Sequence, residues 1–231
     1  KRVTAPATYH LPMNSPPMPS ALPSRPLSVH PLYWLLAMAL AHVAVRVAVS
    51  PALKWDEAEQ MLWSQQLALG YGSQPPLYTW LQWLANQVFG PSVLALSALK
   101  HSLLALSFAL MYLAGRELLD ERGAFWASAS MLLLPPLGWA SVRDQTHTIL
   151  VTAMTCGAWW LLMRIARQPR PRDFALLGLV CGCGLLAKYS FALVVAAMLL
   201  AALSVPEARS ALLSRGWWWA PIVGTLVVLP P

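Results

Sequence analysis

The stretch Trp55-Asp56-Glu57-Ala58-Glu59 sets three carboxylates directly after a hydrophobic run that begins at Pro31. That run continues to Leu53 and is long enough to cross a bilayer. Ionised carboxylates are costly in hydrocarbon, so Asp56, Glu57 and Glu59 must emerge at a membrane surface or line a polar cavity beside it. The stretch therefore marks the end of a first predicted membrane span.

The composition extends this interpretation to the whole chain. Of its 231 residues, 58% are hydrophobic and 11% are charged, and the mean hydropathy is +0.54. The apolar residues fall in long blocks, which predicts an all-α fold, a polytopic transmembrane helical bundle. The net charge of +7 comes mainly from Arg residues in short loops between apolar runs, which fits the positive-inside rule. We therefore predict membrane lipids as partners and no nucleic acid.

The three cysteines lie within apolar runs, at positions 156, 181 and 183. Cys181 and Cys183 are separated by one residue, whereas common zinc and redox motifs have two residues between their cysteines. The sequence therefore predicts small buried side chains here, and neither a metal site nor a disulfide.

Two parts of the chain differ in composition. Residues 1–30 are rich in Pro and Ser, which predicts a disordered N-terminal tail. Residues 31–231 form the predicted transmembrane domain, which we expect to be truncated at its C-terminus because its last apolar run ends at Pro231 without a polar terminus. The predicted spans are 31–53, 92–115, 124–142, 148–163, 174–187, 189–205 and a run from 217.

Between the first two spans the pattern predicts an extracytoplasmic loop with two interfacial helices. The first covers Asp56 to Leu69, with Asp56 as its N-cap and Glu59 as its third helical residue. The second covers Leu77 to Phe89 and carries two Trp residues, so it should lie at the interface or enter the membrane as a tilted, re-entrant helix.

The orientation follows from counting positive charges on each side of these spans. Of the 16 Lys and Arg residues, 11 fall on the side of the N-terminus and 5 on or near the opposite side. The N-terminus is therefore predicted to be cytoplasmic. The first, second and third outer loops then bring several polar side chains to one extracytoplasmic surface: Asp56, Glu57, Glu59, Asp144, His147 and Lys188.

This combination suits an anionic, membrane-borne substrate. Asp and Glu act as general bases or metal ligands, whereas Arg and Lys bind a phosphate and stabilise it as a leaving group. Each residue also has a plainer explanation. Asp56 fits a helix cap, Arg143 and Asp144 a solvated turn pair, Lys188 a snorkelling residue, and His147 a structural histidine.

Several short motifs occur in order along the chain: the Asp-Glu pair, Leu67-Ala68-Leu69-Gly70-Tyr71, Gln74-Pro75-Pro76-Leu77, the outer Asp144 and Gly184-Leu185-Leu186-Ala187-Lys188-Tyr189. From about Trp55 to Ala202 the chain resembles GT-C membrane glycosyltransferases of the family 39 type, related to protein O-mannosyltransferases and the lipid A aminoarabinose transferase. The resemblance implies a multi-spanning enzyme that transfers a sugar from a polyprenyl-phosphate donor to a lipid, glycan or protein acceptor. We accordingly expect a bacterial inner-membrane protein whose active site faces outward.

The family's functional residues map onto this sequence motif by motif. Its first-loop acid falls on Asp56, with Glu57 beside it, and its second-loop acid falls on Asp144. Its Lys-Tyr element falls on Lys188 and Tyr189. Gln74 stands where some relatives have a Lys or His before Pro-Pro, so we place it in the substrate-binding set although it lacks that possible phosphate or metal contact.

The resemblance and the residue chemistry agree on a single displacement at the anomeric carbon. Asp56 would accept the proton of the acceptor hydroxyl, while Arg143, Lys188 and Arg46 stabilise the departing polyprenyl phosphate. A divalent cation, Mg²⁺ or Mn²⁺, is a further expectation, with its ligands drawn from Glu57, Asp144 and His147.

Two other function classes remain open at this point. A transporter or flippase for lipid-linked sugars would place charges such as Arg46 along a translocation path, and a non-catalytic membrane scaffold would need no converging acids.

Overall fold

The computed structural model describes residues 31–140 and 145–229, and all regular elements within these ranges are helices. The predicted tail at 1–30 and the predicted site residues Arg143 and Asp144 lie outside the described residues. In chain order the helices are α1 Pro31–Val49, α2 Trp55–Trp63, α3 Leu77–Phe89, α4 Val93–Arg116, α5 Glu121–Ala129, α6 His147–Arg167, α7 Pro171–Ala187, α8 Phe191–Ser204, α9 Pro206–Leu212 and α10 Trp219–Val228.

The helix lengths confirm an all-α protein of the membrane type. Within the described ranges α4 and α6 are each long and apolar enough to cross a bilayer, as predicted for 92–115 and 148–163. The pair α8 and α9 would make a third span, although it is bent by 115° at Val205. The apolar parts of α1 and α10 are shorter than a full span.

The predicted span over 124–142 is wrong as a single helix. α5 ends at Ala129 and is followed by a 3₁₀ turn, Ser130–Leu133, and then by a π-helical turn, Pro136–Ala140. Pro135 and Pro136 have no backbone N–H to donate, so an α-helix cannot continue through them without losing hydrogen bonds.

The predicted helix from Asp56 to Leu69 is too long, and its predicted cap is wrong. α2 begins at Trp55, its N-cap is Lys54, and its third helical residue is Glu57 rather than Glu59. The Glu57 carboxylate accepts a hydrogen bond from the Lys54 backbone N–H at 3.1 Å, which satisfies one of the free donors at the helix start. The helix ends at Trp63, and the hydroxyl of its C-cap, Ser64, donates to the Gln60 carbonyl.

The helices pack around two apolar clusters. The first joins α3, α4 and α6 around Tyr78, Phe108 and Ile149, and the second joins α6 to α9 around Ile165 and Phe174. α10 lies against α7, where a Cβ on Gly178 would clash with the Ala220 carbonyl oxygen. Gly178 and Gly182 therefore form a small-residue face that allows these two backbones to approach closely.

Candidate active site in the first outer loop

A buried charge cluster ties α2 to α1 and α4. The Glu57 side chain is almost fully buried, and its two oxygens accept from different cations: Oε2 from Arg46 at 2.8 Å and Oε1 from Lys100 Nζ at 2.7 Å. Lys100 is also only 1% exposed, although it lies within the predicted span α4. A buried charge is very costly unless it is paired with an opposite charge. The Glu57 carboxylate therefore stabilises Arg46 and Lys100 in these positions, and the two cations stabilise Glu57.

The cluster keeps Glu57 ionised. Burial on its own raises the pKa of Glu57, but hydrogen bonds from Lys100 and Arg46 outweigh it and bring the pKa below its ordinary value. Arg46 also donates to the carbonyls of Ser50 and Ala52, just beyond the end of α1. The three side chains together carry one net positive charge, and both oxygens of Glu57 are occupied.

A second buried network runs from α2 to α6 and α7 through Gln60. Thr79 donates to Gln60 Oε1 at 2.9 Å, and Gln60 Nε2 lies 2.9 Å from His147 Nε2. His147 Nδ1 lies 3.2 Å from the Ala187 carbonyl oxygen. A carbonyl oxygen only accepts, so Nδ1 carries the ring proton and Nε2 of a neutral imidazole accepts from the Gln60 amide.

The helix α3 has its polar side turned inward. Thr79, Gln82 and Asn86 are buried, and Asn86 donates to the Ser64 hydroxyl at 2.9 Å, whereas Leu84 and Val88 are 55% and 68% exposed. This is the reverse of a helix on a soluble protein, in which the apolar side faces the core. An apolar outer face is typical of a helix that contacts lipid.

Tyr78 lies between the charge cluster and His147. It is fully buried, its ring centroid is 5.1 Å from that of His147, and its hydroxyl has no hydrogen-bond partner among the described residues. Burial, and then the negative charges of Glu57 and Asp56, raise the pKa of Tyr78 above its ordinary value. The hydroxyl therefore stays protonated at neutral pH and is not a proton acceptor.

The structure gives each described site residue from the sequence a definite place. Asp56 is half-buried at the second position of α2, one helical turn before Gln60. Lys188 is half-buried and forms the C-cap of α7, directly after Ala187. Tyr189 is exposed beside it, and Gln74 is half-buried in a short bridge with Tyr71. Arg46 and Glu57 are in direct contact.

The described members of the expected metal set do not fit a divalent cation. Both Glu57 oxygens are bound to cations, and both ring nitrogens of His147 have hydrogen-bond partners. The described ranges contain no group of three His, Cys, Asp or Glu side chains that could hold an ion. Asp144, the third expected ligand, lies outside those ranges.

Sequence reasoning missed four residues that build this site: Gln60, Tyr78, Thr79 and Lys100. Lys100 carried a usable signal, because a single cation inside a long apolar run needs a partner of opposite charge. The others are ordinary polar residues on short helices, and only the fold shows that they are buried.

Comparisons with known proteins agree with this picture. Residues 73–231 match the family model of dolichyl-phosphate-mannose-protein mannosyltransferase. The chain is 37% identical over 202 residues to the lipopolysaccharide core galacturonosyltransferase RgtB of Rhizobium johnstonii, covering 85% of this chain and 41% of that protein. It is 28% identical over 167 residues to the undecaprenyl phosphate-alpha-4-amino-4-deoxy-L-arabinose arabinosyl transferase of Shewanella sediminis, covering 69% of this chain and 30% of that protein.

The chain thus spans about two fifths of the length of its Rhizobium relative. No solved structure matches it. The family match covers well over half of the chain and confirms the resemblance found in the sequence motifs. This integral membrane protein belongs to the dolichyl-phosphate-mannose-protein mannosyltransferase family.

Proposed function

We propose that this protein transfers a sugar from a polyprenyl-phosphate donor to an acceptor on the extracytoplasmic side of a bacterial inner membrane. Family membership supports glycosyl transfer, and similarity to the undecaprenyl phosphate-aminoarabinose transferase of Shewanella supports a polyprenyl-phosphate donor. The observation that carries the proposal is the anchoring of α2: buried Glu57 fixes this helix to α1 and α4 while the neighbouring Asp56 stays half-exposed.

The two acidic residues then have different roles. Glu57 accepts from Lys100 and Arg46 with its two oxygens, so it is poorly suited to take a proton from a substrate. We assign the general base to Asp56 and make Glu57 its positioning residue. Proton transfer needs the base within hydrogen-bond reach of the acceptor hydroxyl, and the anchoring of α2 supports this role by holding Asp56 in a fixed place.

The proposed reaction is a single displacement. The acceptor oxygen forms a bond to the anomeric carbon, and its proton passes to Asp56. The bond between the anomeric carbon and the phosphate oxygen breaks, and its electron pair leaves with the polyprenyl phosphate. Lys188 and Arg143 are the proposed partners of that phosphate, because Arg46 is engaged with Glu57 and with two backbone carbonyls.

The transporter alternative has less support within the described ranges. A translocation path would need unpaired charges facing a cavity along the spans. The buried cation of α4, Lys100, is instead paired with Glu57, and a cavity beside α1 and α4 is lined mainly by apolar side chains such as Trp34, Phe108 and Phe125.

The experiment is a transfer assay with purified protein in lipid vesicles. Radiolabelled polyprenyl-phosphate galacturonic acid and aminoarabinose are offered separately with lipopolysaccharide as acceptor, and Asp56→Asn serves as the matched inactive control. Label on the acceptor, absent with Asp56→Asn, is the expected result. Movement of intact donor between leaflets without transfer would favour a flippase, and neither transfer nor movement would favour a scaffold.

A further inference from the structure

One buried hydrogen bond joins the start of α6 to the end of α7. The last carbonyls of a helix lack partners within the helix, and Ala187 is the final residue of α7. His147, the first residue of α6, supplies the missing donor through Nδ1, at 3.2 Å from the Ala187 oxygen. Both residues are buried, so water does not compete for this bond. The next residue in the chain is Lys188.

The other side of the His147 ring is held by α2. Gln60 reaches Nε2 at 2.9 Å, and Thr79 fixes the orientation of the Gln60 amide by donating to its oxygen. Gln60 is four residues after Asp56, so the two side chains lie on the same face of α2, one turn apart. A continuous line of buried hydrogen bonds therefore connects the helix that carries Asp56 with the helix end that carries Lys188.

We propose that His147 is a positioning residue that holds Lys188 in register with the Asp56 face of α2. The inference rests on the proposed function for the roles of these two residues, but the bond between His147 and Ala187 stands on geometry alone. It replaces the expected metal-ligand role of His147, because neither ring nitrogen is left with a free lone pair. The competing explanation is a buried histidine that only fills a polar gap in the core.

Two amide substitutions separate these explanations. In His147→Asn the amide nitrogen takes the place of Nδ1, so the bond to the Ala187 carbonyl is kept and the bond to Gln60 is lost. In His147→Gln the amide reaches the place of Nε2, so the bond to Gln60 is kept and the bond to Ala187 is lost. His101 offers a matched control, because it is also buried and its Nδ1 bonds to the Ser97 carbonyl within its own helix.

The first measurement is the dependence of transfer on donor concentration at fixed acceptor. His147→Gln should raise the apparent KM for the donor about tenfold, the effect of about 1.4 kcal/mol, whereas His147→Asn should change it less than about threefold. His101→Gln should leave this KM unchanged. Equal KM values in both His147 variants would overturn the positioning role and leave His147 a core residue.

The second measurement does not depend on transfer. An amine-acetylating reagent modifies Lys188 at a rate that depends on its surroundings, and exposed Lys54 in the same molecule serves as the internal reference. Mass spectrometry should show that the ratio of Lys188 to Lys54 labelling changes at least about threefold in His147→Gln and stays near wild type in His147→Asn. An unchanged ratio in His147→Gln refutes the inference even if the protein proves active. A changed ratio without transfer in wild type supports the inference and refutes the proposed function.

Discussion

Replacing Glu57 by Gln removes the one negative charge from the buried cluster and keeps the size of the side chain. Lys100, which is 1% exposed, then lies next to Arg46 without a compensating charge. Removing one partner of a buried ion pair costs about 3–5 kcal/mol, so Glu57→Gln should lower the free energy of unfolding by about that amount. Lys100 should bear most of this cost, because Arg46 keeps its bonds to two carbonyls.

The assay is unfolding by titration with SDS in mixed micelles, followed by tryptophan fluorescence. Four proteins complete a double-mutant cycle: wild type, Glu57→Gln, Lys100→Met and the double variant. The double variant leaves no unpaired ammonium in the core, so it should be more stable than the sum of the single changes predicts by about 1–3 kcal/mol. A loss below about 1 kcal/mol in Glu57→Gln, the size found for exposed ion pairs, would refute the buried cluster.

Acid titration of the same proteins tests independently whether ionised Glu57 stabilises the fold. The pKa of Glu57 in the folded protein lies below the ordinary value of 4.5. The stability that this group contributes is therefore fully present above that ordinary value and is lost as the pH falls through the lower, folded-state pKa. The free energy of unfolding of wild type should therefore fall over this acidic range. Glu57→Gln has no carboxylate at this position, so its free energy of unfolding should fall less.

Four further outcomes test the site and the topology. Asp56→Asn should lower turnover by about 10²- to 10⁴-fold with the protein still folded, and a loss below about threefold would leave Asp56 a helix residue without a catalytic role. Lys188→Ala should weaken apparent donor affinity by about 1.5–3 kcal/mol, with partial recovery in Lys188→Arg, and unchanged donor dependence would remove Lys188 from the phosphate site. Single cysteines at 56 and 188 should react with an impermeant thiol reagent from outside, whereas cysteines replacing Arg116 and Arg170 should not; the reverse pattern would invert the predicted topology. EDTA should leave transfer unchanged, because Glu57 and His147 are already bonded, and a loss restored by Mg²⁺ would indicate an ion site around Asp144.

Sequence periodicity and charge were enough to predict the long helices. α4 and α6 begin and end within a few residues of their predicted spans. The apolar run of α4 follows Gly90-Pro91-Ser92 and ends at Arg116, and polar or charged residues bound the run of α6. The prediction over 124–142 failed because hydropathy does not register the lost hydrogen bonds at Pro135 and Pro136. A run can be apolar throughout and still not be one helix.

The start of α2 shows why local capping rules were insufficient. The capping rule looks for an acidic residue three positions after the N-cap. Asp56 followed by Glu59 has this spacing, and so has Lys54 followed by Glu57, which is the pair that the structure shows. Tertiary contacts accompany the observed start, since Glu57, the third helical residue, is bound by Arg46 and Lys100. Lys100 lies 43 residues further along the chain, beyond the reach of any short motif.

The pairing of Lys100 with Glu57 also bears on how the chain enters the membrane. Lys100 lies about 10 Å along α4 from Val93, and a lysine near the centre of a spanning helix costs about 2.5–3.5 kcal/mol during insertion by the translocon. Glu57 is synthesised first, so its carboxylate is already available when α4 leaves the ribosome. We therefore expect the first four helices to enter the bilayer together. When α4 is expressed without the segment around Glu57, it should insert into the membrane poorly.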